Sequence, residues 1–198
     1  MTGVNKMNTY LETENLILRQ YSEADVNALT SLNNDPDILH WIPYLQRDRN
    51  KIKEDILRYI SYYKKYAGYG TWATIEKSSS DFIGWFMFLP FGELPYFNPE
   101  FGDAEDIELG FYFTKATWGK GYATEGSRAI ISNGFSKLGT QRVMGTALSK
   151  NKASIRVMEK VGMRLDSKFI YQELESWGIP AQEVVIYGLN RDTYQKSL

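Results

Sequence analysis

Trp118-Gly119-Lys120-Gly121-Tyr122-Ala123-Thr124-Glu125 is the stretch on which the reading of this chain turns, because it lies directly between a strand and a helix. The strand is Ile107 to Phe113, where Ile107, Leu109, Phe111 and Phe113 alternate with Glu108, Gly110 and Tyr112. One face is therefore apolar and the other carries a single acid. The helix is expected from about Lys120 to Leu138. Between the two, a pair of glycines lets the backbone turn sharply and come close to a ligand. The first-turn amides of the helix are unpaired and point outward with the positive end of the dipole, an arrangement suited to a pyrophosphate.

Several kinds of turn have this outline, and spacing separates them. A Walker pattern needs lysine and then serine or threonine after the last glycine, but Gly121 is followed by Tyr122-Ala123. A dinucleotide fingerprint needs glycine or alanine three residues after the second glycine, and Thr124 stands there, with no earlier parallel strand system to hold a second half. An ordinary glycine-containing turn that starts a helix is the commoner meaning of an isolated Gly-x-Gly, so the context must decide.

Working outward, Leu16 to Gln20 reads as a short strand, and Ser22-Glu23-Ala24-Asp25 supplies a capping box for a helix with Val26, Leu29 and Leu32 on one stripe, stopping near Asp35-Pro36. A second amphipathic helix, about Lys51 to Tyr66, places Ile52, Ile56, Tyr59, Ile60 and Tyr63 at three- and four-residue spacing. His40-Trp41-Ile42-Pro43-Tyr44 between them is an aromatic loop. Thr71 to Ile75 and Phe82 to Leu89 form an antiparallel hairpin across the polar turn Lys77 to Asp81. Pro90 to Asp106 follows, with three prolines, two glycines, five acidic residues and no basic one. It is too long for a routine connection and is read as a functional or variable loop. Beyond the central helix come a strand at Arg142 to Leu148, a helix from Ala153 closed by Gly162, and strands near Arg164 to Glu173 and Gln182 to Leu189. The expectation is a mixed α/β fold, a central and largely antiparallel sheet of six or seven strands with helices on both faces.

Composition narrows the function classes. At 198 residues, 43% hydrophobic and 24% charged, the chain suits one globular domain over 1–198. Lysine plus arginine number 23 against 24 aspartate plus glutamate, so no bulk positive field collects nucleic acid, and no direct nucleic-acid contact is expected. Zero cysteines and the single His40 leave a metal centre without its usual ligands, and none is expected. Met1 to Glu14 has no apolar stretch like a signal peptide, and the apolar run Phe82 to Phe91 is broken by Gly84 and Pro90. The expected place is the cytoplasm, without membrane attachment, as a monomer or homodimer.

From Ile107 to Gly126 the chain resembles the central motif of the Gcn5-related N-acetyltransferase (GNAT) superfamily. That family carries arginine or glutamine, two residues, glycine, one residue, then glycine or alanine; here Trp118 stands in the first place, with Gly121 and Ala123 in the last two. The tryptophan followed by Gly-Lys-Gly-Tyr-Ala-Thr-Glu is similar to the branch of ribosomal-protein N-terminal acetyltransferases and their relatives. Leu11 to Arg19 resembles that branch's opening strand, and Asn151 to Met163 its asparagine-serine helix, so the likeness covers about 11–194.

The resemblance implies a GNAT-like acyl-coenzyme A fold with two parallel strands splayed apart, and acetyl-coenzyme A as co-substrate. The backbone of Phe111, Tyr112 and Phe113 would line the pantetheine arm, the turn Trp118, Gly119, Lys120, Gly121, Tyr122, Ala123 and Thr124 would hold the pyrophosphate, and Asn151 would bond the arm. It implies attack of a neutral amine on a thioester in a ternary complex, with Glu108 as base through a water, its pKa raised by burial to work near neutrality, unless Glu108 is only a solvated, outward-facing strand residue. Many relatives use a tyrosine acid seven residues after the asparagine. Here that residue is Met158, and Ser154, three residues after Asn151, is the substitute, unless it only caps its helix. The acceptor is a small-molecule amine or a protein N-terminus; an α-amino group of pKa about 7.7 to 8.0 is the easier task for a glutamate than lysine at about 10.4. His40, Trp41 and Tyr44 lie in the loop that lines the acceptor side in relatives; the other reading makes them partly buried packing residues. The acidic loop either draws in a cationic acceptor or is a solvated surface, the latter being commoner. A non-catalytic acyl-coenzyme A binding module on the same fold is the alternative function, and a nucleotide-binding enzyme of another class a third.

Overall fold

The computed structural model describes residues 8–42, 45–171 and 180–196. Thr9–Glu12 (β1) and Leu16–Arg19 (β2) pair antiparallel. The opening strand expected over Leu11 to Arg19 is thus a hairpin: Thr13 and Asn15 favour a turn, and Thr13 Oγ1 accepts the Leu16 amide at 3.0 Å while the Thr13 amide donates to the Leu16 carbonyl at 3.0 Å.

The capping box at Ser22 forms, and the helix Val26–Asn33 (α1) buries Val26, Leu29 and Leu32 as expected. A short helix, Pro36–Leu39 (α2), restarts at once because Pro36 fits the first helical position and the Asp35 carboxylate accepts from the Asp37 amide at 2.9 Å. Arg49–Lys65 (α3) is capped by Asp48, which accepts from the amides of Asn50 and Lys51, and it buries Ile52 and Ile56. Gly70–Glu76 (β3) and Phe82–Pro90 (β4) make the expected hairpin. Ile107–Phe113 (β5), Tyr122–Asn133 (α4, prolonged by a wider turn over Gly134–Leu138), Arg142–Leu148 (β6) and Lys152–Lys160 (α5) come next. Arg164–Tyr171 (β7), Gln182–Asn190 (β8) and Arg191–Gln195 (α6) complete the order.

Among the described residues eight strands join one sheet in the order β1-β2-β3-β4-β5-β6-β8-β7. The count exceeds the expected six or seven because the first strand folds back on itself. Every pairing is antiparallel except β5 with β6. Side-chain alternation sends the two faces to different helices. Trp72, Ile107, Leu109 and Phe113 pack with Ile130, Ile131 and Phe135 after the central turn and with Ile155 and Met158 of α5. Ala73 and Tyr112 pack on the opposite face with Leu29 and Leu32 of α1 and Ile52 and Ile56 of α3. Gly126 lets α4 lie directly on β4, since a Cβ there would meet the fully buried Phe86 ring at 2.3 Å. Among the described residues no helix is long and apolar enough to cross a membrane.

Candidate active site

Among the described residues the sheet has one parallel pairing, and it is also the shortest. β5 and β6 align only at Ile107 with Val143 and Glu108 with Met144, whereas β4 follows β5 over its whole length. The Phe91 amide donates to the Asp106 carbonyl at 2.7 Å and the Thr114 amide to the Ile83 carbonyl at 2.8 Å, so even-numbered residues from 106 to 114 direct their backbone groups at β4. The odd-numbered ones face β6. Likewise the Ser149 amide donates to the Glu183 carbonyl at 2.9 Å, so the odd residues of β6 serve β8 and the even ones, Thr146 and Leu148 among them, face β5. Beyond Glu108 this leaves a slot edged by the backbone of Phe111 and Phe113 on one side and of Thr146 and Leu148 on the other. Tyr112 keeps its backbone in the ladder with β4 and sends its hydroxyl to the Asn33 side-chain oxygen.

At the end of the slot the chain turns into α4. The Trp118 indole Nε1 donates to the Phe113 carbonyl at 2.8 Å, pinning the turn to the strand it leaves, while its ring stays 43% exposed. Gly119 (φ +78°) and Gly121 (φ +87°) both adopt the left-handed region, and a Cβ at either would meet nothing within 4 Å. The first helical bond runs from the Glu125 amide to the Gly121 carbonyl at 2.9 Å. Among the described residues no acceptor serves the amides from Gly119 to Thr124. Open space in front of a run of orphan donors at a helix N-terminus fits a pyrophosphate. Lys120 Nζ lies 3.3 Å from Glu76 Oε1, which also accepts from the Tyr122 hydroxyl at 2.5 Å. These side chains thus bond one another beside the cradle. Glu125 accepts from the Asn15 amide at 2.8 Å and from its side chain at 3.0 Å, tying the helix start to the β1–β2 turn.

Glu108 stands where β5 and β6 part, with its side chain 2% exposed. Its Oε1 accepts from Thr146 Oγ1 at 2.9 Å, while Oε2 is buried without a hydrogen-bond partner of ordinary geometry. Burial pushes the carboxyl up to about 7, against the smaller downward pulls of the Thr146 and Tyr96 hydroxyls. A carboxylate so placed can accept a proton near neutral pH.

Asn151 caps α5, its side-chain oxygen accepting from the Ser154 amide at 3.1 Å, so its own amide nitrogen remains to donate elsewhere. The cap is therefore the asparagine. Ser154 is half-buried, and no hydrogen bond of its hydroxyl occurs among the described residues. His40 is exposed and meets Trp41 edge to face at 4.6 Å. Lys115 Nζ bonds Asp37 at 2.9 Å and so fastens the α2 segment that leads to them beside the turn after β5. Tyr44 lies outside the described residues.

The loop from 91 to 106 carries what the sequence did not disclose. Lys65 bonds Glu93 at 2.9 Å, Arg142 bonds Asp106, and the Phe101 and Phe169 rings stack at 3.8 Å. Phe91 and Leu94 are buried with Leu89, Met144 and Ile186, on the strands around Glu108. The loop is a packed cover whose acids at 93 and 106 are already paired. Thr146 and Tyr96 are the two residues near Glu108 that the motif did not announce. For Thr146 a signal existed, since Met144 and Thr146 alternate onto one face of β6 once that strand is set parallel to β5.

A family model described as an acetyltransferase (GNAT) domain matches residues 15–164. An uncharacterised protein of Bacillus subtilis (strain 168), YkkB, is 30% identical over 156 residues, covering 78% of this chain and 85% of its own length. The solved ribosomal L7/L12 alpha-N-protein acetyltransferase RimL, in complex with coenzyme A, superposes with a TM-score of 0.72 at 16% identity, covering 94% of this chain and 99% of that one. Spermidine N-acetyltransferase from Vibrio cholerae, in complex with coenzyme A and spermine, gives 0.70 at 14% identity, covering 92% and 99%. At these identities the structural likeness is one of fold.

Proposed function

The chain belongs to the acetyltransferase (GNAT) family, and we propose that it moves acetyl from acetyl-coenzyme A to a primary amine of low pKa by direct attack within a ternary complex. The observation that carries this reading is Glu108, a buried carboxyl at the mouth of a slot whose other end is a run of amides unpaired among the described residues. Coenzyme A found in complex with the relatives RimL and spermidine N-acetyltransferase supports the same ligand here. Acetyl-coenzyme A supplies an acetyl thioester open to nucleophilic attack. The amides from Gly119 to Thr124 hold the pyrophosphate, and the backbone of Phe111 and Phe113 with the Asn151 side chain orients the arm. Placement of both reactants in one slot replaces a bimolecular encounter.

Glu108 removes the proton from the amine. With its carboxyl at about 7, taking a proton from an α-ammonium of pKa about 8 is uphill by roughly 1.4 kcal/mol, whereas lysine at about 10.4 demands over 4 kcal/mol. The balance favours an α-amino acceptor, a protein N-terminus or a small amine of similar acidity. Ser154, with its amide satisfied by Asn151 and its hydroxyl without a hydrogen bond among the described residues, is the proton donor to the departing thiolate.

Thiol release from acetyl-coenzyme A in the presence of short peptides with free and with blocked N-termini, a polyamine and an aminoglycoside tests the reading. Turnover with a free α-amine is expected, and Glu108→Gln should lower kcat/KM by about 10² or more. Tight coenzyme A binding with no amine turned over would leave a binding module in place of an enzyme.

A further inference from the structure

The face of the sheet that carries Glu108 is well covered at two places and thinly covered between them. Side chains of α1 and α3 close over Ala73 and Tyr112, and Phe91 and Leu94 close over Leu89 and Met144. Between these clusters lie Trp85 and Met87 of β4 and Gly110 of β5, all only partly buried although both strands are central in the sheet. Register sets Trp85 opposite Tyr112, Met87 opposite Gly110 and Leu89 opposite Glu108, so the six share one face. Gly110 is two residues from Glu108, ~7 Å along the strand. Its φ is not in the left-handed region, so the backbone does not call for glycine there. Space does: a Cβ would meet Met87 Cε at 3.1 Å and Trp85 Cζ3 at 3.6 Å. A glycine inside a strand is a place where another group can come close. The Trp85 ring meets that of Tyr112 edge to face at 4.4 Å. Beyond Glu108 these residues carry no charge, and on the elements packed around them Asp55 pairs with Arg58, Glu93 with Lys65 and Asp106 with Arg142.

We propose that Trp85, Met87 and Gly110 form the floor on which the group beside the acceptor amine rests, and that this floor selects an apolar or aromatic neighbour over a cationic one. The proposal rests on the reading of Glu108 as the base that meets an α-amine. With the amine nitrogen at Glu108, the side chain of the same amino-terminal residue falls over Gly110. There the Met87 thioether and the Trp85 ring offer it apolar contact, and the missing Cβ leaves it room. A cationic side chain would lose its water on this floor with no second carboxylate to receive it.

Alaninamide, phenylalaninamide and argininamide share a free α-amine and a blocked carboxyl and differ in the side chain. The native protein is expected to favour phenylalaninamide over either of the others by about ten-fold in kcat/KM. Gly110→Ala sets a methyl against the end of Met87, a flexible side chain that can give way, so folding should be preserved, which the thermal midpoint checks. The methyl lifts a large side chain off the floor, and the ratio of kcat/KM for phenylalaninamide to that for alaninamide should fall about ten-fold, whereas a structural role alone would lower both alike. Met87→Ala removes a wall of the floor and should lower the same ratio. Equal turnover of the three amides, a preference for argininamide, or a ratio unmoved in both variants overturns the proposal. Calorimetric binding of the same amides to Glu108→Gln loaded with coenzyme A reads the floor without turnover: the preference should persist, and its absence overturns the proposal. Near-native turnover in Glu108→Gln with the preference intact would instead remove Glu108 as the base and leave the floor in place.

Discussion

Thr146 Oγ1 donates to Glu108 Oε1 at 2.9 Å across the point where β5 and β6 cease to pair. Just beyond the last aligned residues, a side-chain bond between the two strands takes over from the backbone ladder. It fixes one oxygen of the carboxyl in a place from which water is nearly excluded. The burial of the acid goes with the packing of Phe91 and Leu94, from the loop 91 to 106, against Leu89 and Met144 on the strands beside it.

A buried acid of this kind makes stability depend on pH in a definite direction. Glu108 has its carboxyl at about 7 in the native protein, against 4.5 as the ordinary value. Between these values the native state binds more protons than the unfolded one, so stability falls as pH rises; the contribution is fully present below about 4.5 and lost through about 7. The shift corresponds to roughly 3 kcal/mol. Urea denaturation at pH 4.5 and pH 8 should show that loss in the native protein and not in Glu108→Gln, which retains the oxygen facing Thr146. Equal pH dependence in the two proteins would contradict the burial of a titrating acid here.

Much of this arrangement could be read from the chain. Alternation in Ile107 to Phe113 put Glu108 on the face opposite Ile107 and Leu109, and the structure has it so, because strand parity leaves no other choice once one face is apolar. The glycines at 119 and 121 implied a left-handed turn before a helix, which forms. The helix begins at Tyr122, two residues later than expected, since both glycines are spent on the turn. The first strand was harder. Thr13 and Asn15 break Leu11 to Arg19 into a hairpin through local hydrogen bonds that a run of similar residues does not reveal. Least legible was the loop from 91 to 106. Its prolines and acids suggested a solvated surface, yet Phe91, Leu94 and Phe101 bury it through contacts with residues 50 or more positions away, which composition cannot show.

Two glycines of like backbone geometry allow the phosphate cradle to be tested apart from strain. Gly121 and Gly139 have φ of +87° and +77°, and a Cβ at either would meet nothing within 4 Å. Glutamate at either position should cost a similar amount, of order 1–2 kcal/mol, for the left-handed conformation. Only Gly121→Glu sets bulk and negative charge before the amides of Tyr122 to Thr124. Coenzyme A titrations followed by calorimetry should show affinity falling at least ten-fold for Gly121→Glu and staying close to native for Gly139→Glu. Equal affinities would move the pyrophosphate away from this turn.

The cover over Glu108 can be loosened without touching the acid or its two hydroxyl neighbours. Phe101 stacks on Phe169 at 3.8 Å with the rings 16° from parallel, joining the loop to β7. Phe101→Ala forfeits the stacking, about 1 kcal/mol beyond the lost area, and the loop should open more often. Water then reaches Glu108, and because burial is the larger cause of its raised pKa, the value should fall toward 4.5. The acid limb of kcat/KM is expected to move down by about one pH unit. An acid limb that stays where it is in the native protein would mean that the cover does not set the pKa of this acid, since burial is the largest cause of its rise.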